Sequence, residues 1–175
     1  MRKIIKRTKG ILFWITGLSG SGKSTIGNLI KKDINKYYGK TVIIHGDDIR
    51  NIYNLKNYGE KKRLNLGKSN SNLCKLITNQ GINVIFTTVG LFHEIHKYNR
   101  ANIKHYIEIY IKSEIKDLIK NKKKKFYKYK TKYVWGLDIK PEFPKNPNFI
   151  INNNFKIKIE YLSKKLIKDI KKIVK

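Results

Sequence analysis

The 175-residue chain is short of cysteine, methionine, proline and tryptophan, with one, one, three and two of each, and it has few acids, 12 against 40 basic residues. Each scarcity excludes something. A single cysteine, Cys74, cannot form an internal disulfide, which points to a reducing compartment and a cytoplasmic location. No apolar run approaches the roughly 20 residues of a membrane span, so no membrane partner is expected. Arg2, Lys3, Lys6, Arg7 and Lys9 ahead of an apolar run imitate a secretion signal. That run, however, leads into a glycine-rich loop that cleavage would destroy. With no internal repeat and no interdomain linker, residues 1–175 read as one domain. Residues 1–10 are expected to be frayed, and 121–147 to form a lid and loop region.

The formal net charge of +28 would suit nucleic acid or an anionic surface. Composition offers a plainer cause. Lys, Asn and Ile dominate, arginine occurs only five times, and Ala101 is the only alanine, a pattern expected of an AT-rich coding sequence. Nucleic acid is therefore not the expected partner, although the positive field would still attract small anions.

What is present centres on Gly17-Leu18-Ser19-Gly20-Ser21-Gly22-Lys23-Ser24-Thr25, which meets G-x-x-x-x-G-K-[ST] at every fixed position. Glycines let successive backbone N–H groups turn toward a phosphate. Lys23 is the residue for the β- and γ-phosphates, the Ser24 hydroxyl is a candidate for Mg²⁺, and the following helix adds its N-terminal dipole. The apolar run Ile11–Thr16 before the loop reads as a buried strand. Ile26, Leu29, Ile30 and Ile34 after it recur at helical spacing. The loop is read as the ATP site, with Gly17, Ser19, Gly20, Ser21, Gly22, Lys23, Ser24 and Thr25 as its residues.

Further strands are expected at 41–45, 82–87, 106–111 and 148–151, and helices at 60–80, 93–101, 113–120 and toward the end of the chain. Leu64, Leu73, Leu76 and Ile77 are the expected core contacts of the first of these helices. Alternating strands and helices imply a parallel sheet covered on both faces, with ligands beyond the strands' carboxyl ends.

Three loops there carry candidate residues. Asp47 can order Mg²⁺ or accept the proton of an attacking hydroxyl, with a helix N-cap as the alternative, and Asp48 is balanced between the two. Arg50 can grip a phosphate or sulfate in bidentate fashion. Phe86 and Phe92 are candidates to sandwich a base, with the core as the alternative. His93 and His96 lack the spacing and third partner of a metal site and read as surface histidines. The lysine- and aromatic-rich run 122–130 reads as a lid supplying positive charge to a transferring phosphoryl group, or as a single-strand nucleic-acid patch.

Taken together, Gly17–Thr25, Gly46-Asp47-Asp48-Ile49-Arg50, Gly136-Leu137-Asp138 and the run from Pro141 to Pro147 resemble the adenylylsulfate (APS) kinase family in order along the chain. The resemblance implies a three-layer α/β P-loop kinase fold with a basic lid. It also implies ATP and Mg²⁺, and transfer of the γ-phosphoryl group to the ribose 3′-hydroxyl of a small anionic nucleotide. By the same match, Asp47 takes the acceptor-hydroxyl and metal role with Ser24, Arg50 and Arg63 take the substrate anion, and Lys23 with Ser24 take the ATP phosphates. A homodimer is left open. Departures cluster on the acceptor side: His45 for the first Asp of D-G-D, Leu66-Gly67-Lys68-Ser69 for N-I-R-R, and Gly90 for the loop serine. They suggest a different acceptor, of which cytidine diphosphoramidate is one.

Overall fold

β-Branched and aromatic side chains make Leu12–Thr16 a strand (β1) in which all five residues are buried. A strand apolar on both faces is stable only at the centre of a covered sheet. In the computed structural model, which describes residues 9–55, 59–121 and 134–174, β1 is central. It pairs in parallel with β3 (Asn83–Thr87) and β4 (Tyr106–Lys112), and the edges are β2 (Thr41–His45) and β5 (Phe149–Asn152), giving the order β2-β3-β1-β4-β5. Every pairing is parallel, so each strand must return through a crossover.

Alternation along β1 then divides the core. Phe13 and Ile15 pack with α1 (Lys23–Tyr38) and α6 (Ile159–Ile173), while Leu12 and Trp14 face α3 (Glu60–Asn79), α4 (His93–Asn102) and α5 (Ile115–Lys120). The short α2 (Gly46–Ile52) follows β2 directly. The three-layer parallel arrangement expected of the sequence is the one observed. Among the described residues, no helix is long and apolar enough to cross a membrane.

Several local expectations need correction. Residues 9 and 10 are placed in the fold: Gly10 N donates to Thr78 O at 2.7 Å, and a Cβ on Gly10 would lie 2.1 Å from Ile82 O. Residues 1–8 lie outside the described residues. In α3 the buried residues are Asn70, Ser71, Cys74 and Thr78, whereas Leu76 is 59% exposed. Small side chains bring this helix close, and its hydroxyls return to the helix itself: Ser71 Oγ donates to Gly67 O at 3.0 Å and Thr78 Oγ1 to Cys74 O at 2.9 Å. Burial pushes the Cys74 thiol up, out of the range of a nucleophile.

His96 is not a surface residue. It is buried beside Glu108, itself fully buried on β4, and Arg100 of α4 pairs with the other carboxylate oxygen. Burial lowers His96 to about 4, against the pull of the Gly90 carbonyl and Glu142; His93 and Arg100 push it the same way as burial. Burial raises Glu108 to about 7, opposed by Arg100, and Tyr106 on the same strand is raised by burial and by the Glu108 charge.

The two shifts act on stability with opposite sign. Glu108, raised from 4.5, contributes stability at acid pH that is lost as pH rises through about 7. His96, lowered from 6.5, contributes stability above that value that is lost as pH falls through about 4. Their slopes oppose each other where the windows overlap. Measured against wild type, His96→Gln is expected to lose stability as pH rises from about 4 to 6.5. Glu108→Gln is expected to gain it from about 4.5 to 7. Thermal melts of the three proteins across that range check both signs.

Candidate active site

Parallel strands place their carboxyl ends together, and three loops meet there. The Ile15–Thr87 and His45–Thr87 register pairs bring the ends of β1, β2 and β3 level. Thr87 then joins the strands through side chains: His45 Nδ1 lies 2.8 Å from Thr87 Oγ1, and Ser24 Oγ lies 3.4 Å from it. The first residues of α1 are in this way tied to the end of β2, where Asp47 begins.

The phosphate loop has the backbone it needs. Gly17, Gly20 and Gly22 all have positive φ, +146°, +84° and +100°. A Cβ on Gly17 would meet Ile111 O at 2.3 Å, and one on Gly22 would meet Ile159 Cδ1 at 2.8 Å. Lys23 is buried and its Nζ donates to Leu18 O at 2.8 Å, so the ammonium links the two ends of the loop. Ser21 is also buried, and its Oγ has no hydrogen-bond partner. From behind, Asn153 Nδ2 donates to Ser21 O at 2.9 Å. Asn153 was invisible to sequence reasoning, because it sits in a run of three asparagines in an asparagine-rich chain.

A cleft of about 430 Å³, counting the open space at its mouth, lies past the ends of β2 and β3, and the hydroxyl of Thr16, just before the loop, donates to Val89 O on its wall. Gly46, Asp47 and Arg50 enter from α2, Arg63, Leu66, Gly67 and Asn70 from α3, and Thr88, Val89 and Gly90 from the turn after β3; Phe92 and Trp135 complete it. Four expected substrate residues, Asp47, Arg50, Arg63 and Phe92, therefore share one wall system. Phe86 does not: it is wholly buried and stacks on Trp14 with ring centroids 4.9 Å apart and planes at 10°. A residue inside the central sheet cannot reach the cleft, so the base-sandwich expectation is withdrawn for Phe86. The ring facing Phe92 is Trp135, edge-on at 4.8 Å.

Asp47 and Arg50 form an ion pair one turn apart on α2. The N-cap of α2 is His45, with no side-chain capping bond, so neither Asp47 nor Asp48 serves as that cap. Asp47 keeps a 68% exposed side chain at the cleft. Within the altered stretch after Arg63, a Cβ on Gly67 would come within 2.8 Å of Ile95 Cδ1, the tip of a flexible side chain on α4. Lys68 in turn pairs with Glu94 across the two helices.

Trp135 was missed, although it directly precedes the Gly136-Leu137-Asp138 block. That block is a turn: Gly136 has φ +86°, its N–H donates to Ile139 O at 2.9 Å, and Asp138 Oδ1 accepts the Val134 N–H. The turn presents the indole to the cleft. Asn70, also missed, is buried at the same wall and gave no signal in a polar helix. The expected lid run 122–130 lies outside the described residues. No cluster of metal-binding side chains occurs among the described residues.

Residues 9–152 match the family model described as adenylylsulphate kinase. The chain belongs to that family. The chain is also similar to a cytidine diphosphoramidate kinase of Campylobacter jejuni, 35% identical over 162 residues that cover 89% of this chain and 95% of that protein. An adenylyl-sulfate kinase of Thermodesulfovibrio yellowstonii is 32% identical over 173 residues, 92% of this chain and 85% of that one. The APS kinase of Mycobacterium tuberculosis, solved with AMPPNP and APS, superposes with a TM-score of 0.81 over 93% of this chain and 98% of that one. At 21% identity, that likeness speaks to the fold. As a family member, the protein is an ATP-dependent phosphotransferase with a nucleotide-binding phosphate loop.

Proposed function

We propose that this adenylylsulphate kinase family member moves the γ-phosphoryl group of ATP to a hydroxyl, the ribose 3′-hydroxyl by family resemblance, of a small anionic nucleotide. We further propose that cytidine diphosphoramidate is the preferred acceptor, with adenylylsulfate the alternative. The observation that carries the reading is an intact phosphate loop at the end of β1 together with, past the ends of the neighbouring β2 and β3, a cleft holding two arginines, a carboxylate and two aromatic rings. Arg50 and Arg63 suit the acceptor's phosphate groups, and Phe92 with Trp135 suit its base. Acceptor choice is supported by the departures at Leu66, Gly67 and Gly90, all of which line the cleft, and by the 35% identity to the Campylobacter enzyme.

The residues fit a triphosphate and its metal. Gly17, Gly20 and Gly22, all at positive φ, give the loop a backbone that glycine adopts freely and that can turn N–H groups toward a phosphate. Ser24 and Asp47 are hard oxygen donors of the kind Mg²⁺ takes. When bound, the metal supplies positive charge to the phosphate oxygens. In the transfer, Lys23 neutralises charge on the migrating group. Asp47 accepts the proton of the acceptor hydroxyl as its oxygen forms the new P–O bond, and the bond from the γ-phosphorus to the bridging oxygen breaks to leave ADP.

Purified protein with ATP and Mg²⁺ is expected to release ADP rapidly only with a small nucleotide acceptor, and most efficiently with cytidine diphosphoramidate. A panel that includes adenylylsulfate and common nucleotides checks this. Higher kcat/KM for adenylylsulfate would reverse the acceptor assignment, and acceptor-independent ATP hydrolysis alone would remove the kinase reading of the cleft.

A further inference from the structure

The turn after β3 supplies three consecutive residues to the cleft, and they are held from two directions. Thr88 N donates to Ile15 O at 3.0 Å, and the Val89 carbonyl accepts the Thr16 hydroxyl. Both of these come from β1. The Gly90 carbonyl is instead 3.0 Å from His96 Nε2, on α4. Gly90 has φ +39°, so its carbonyl direction is not enforced by an extended strand and depends on what grips it.

A carbonyl oxygen only accepts, so Nε2 of His96 carries the hydrogen. Nδ1 then faces Glu108 Oε1 at 3.3 Å, and neither atom has another hydrogen-bond partner. Two lone pairs would repel at that separation. A proton between them, on the Glu108 carboxyl or on the imidazole, removes the repulsion and holds the ring with Nε2–H aimed at Gly90. Glu108 is anchored in turn. Arg100 takes its second oxygen and also donates to Asn146 O at 3.2 Å, and the Glu108 N–H donates to Asn148 Oδ1 at 2.8 Å. A fully buried carboxylate on the central sheet is thus connected through one imidazole to the cleft wall.

We propose that His96, oriented by Glu108, is a positioning residue for the acceptor cleft, setting the Thr88–Gly90 turn through the Gly90 carbonyl. The proposal rests on the reading that this cleft takes the acceptor. It predicts an effect concentrated on the acceptor side, because His96 grips the Gly90 end of the turn, while the end that joins β1 is held by the Ile15 carbonyl and the Thr16 hydroxyl and the phosphate loop by Asn153 and Lys23.

The test compares wild type, His96→Ala and His96→Gln, whose amide can still donate to Gly90. With cytidine diphosphoramidate as acceptor, His96→Ala is expected to raise acceptor KM about tenfold or more, a loss typical of a misplaced substrate wall. ATP KM should stay within about twofold, and His96→Gln should recover most of the loss. Amide hydrogen exchange of the 86–92 segment, measured without acceptor, should be faster in His96→Ala than in wild type and restored in His96→Gln. Unchanged exchange, an unchanged acceptor KM, a parallel rise in ATP KM, or no recovery in His96→Gln would each overturn the proposal. If wild type turns over none of the acceptors, the cleft assignment fails, and the exchange comparison still decides whether His96 sets the turn.

Discussion

Lys23→Ala is expected to lower turnover at least about a thousandfold while leaving a folded protein. The ammonium lies inside the phosphate loop, held by the Leu18 carbonyl at 2.8 Å. An enzyme that works by neutralising charge on a moving phosphoryl group loses most of its advantage when that cation goes. The structural cost is much smaller. One hydrogen bond across the loop is worth about 1 kcal/mol, and removing a buried charge relieves some desolvation. In a domain of this size that corresponds to a melting shift of about 2–4 °C. ADP release and a thermal melt on the same preparation separate the two effects. Turnover near wild type would remove the phosphate loop from the chemistry, and a collapse in melting temperature would make Lys23 a structural residue.

The second large effect is expected at Asp47. Its carboxylate is 68% exposed at the cleft, partnered by Arg50 and not used as a helix cap. Asp47→Ala should lower kcat by about 10²–10⁴-fold, the range for removing a positioned base. A surface ion pair contributes about 1 kcal/mol or less, so the melting temperature should hardly move. Asp47→Asn refines the assignment: it keeps shape and a metal-capable oxygen but cannot take a proton. A fall as deep as that of alanine supports proton acceptance. Activity much nearer wild type would leave Asp47 an orienting role only. An unchanged kcat in Asp47→Ala with reduced stability would contradict the site.

Much of this arrangement was legible before any coordinates. The strands were read within one or two residues because buried parallel strands are short apolar runs; β1 and the heart of β3 are unbroken ones, and β4 is interrupted only by Glu108. The phosphate loop was legible because its glycines answer to backbone geometry, which is local. The face of α3 was read only in part, for the complementary reason: Leu64 and Ile77 pack against the core as expected, and Leu76 does not. Its periodicity invited Leu73 and Leu76 into the core, yet the close approach of α4 at Gly67 turns small and polar residues inward. Phe86 and Trp135 exchanged roles in the same way. An aromatic beside a strand can face either side, and only the stack on Trp14 decides that Phe86 is core.

By itself the sequence determined the parallel three-layer fold, the phosphate site and the family, since each rests on contiguous residues whose backbone requirements are local. The tertiary structure decided which of the scattered side chains meet. It brought Asn70 and Trp135 to the cleft, set Asn153 behind the loop, and joined His96 to Glu108 across twelve residues of chain. Those encounters depend on the sheet order and the path of each crossover, and no local pattern records where two distant segments will touch.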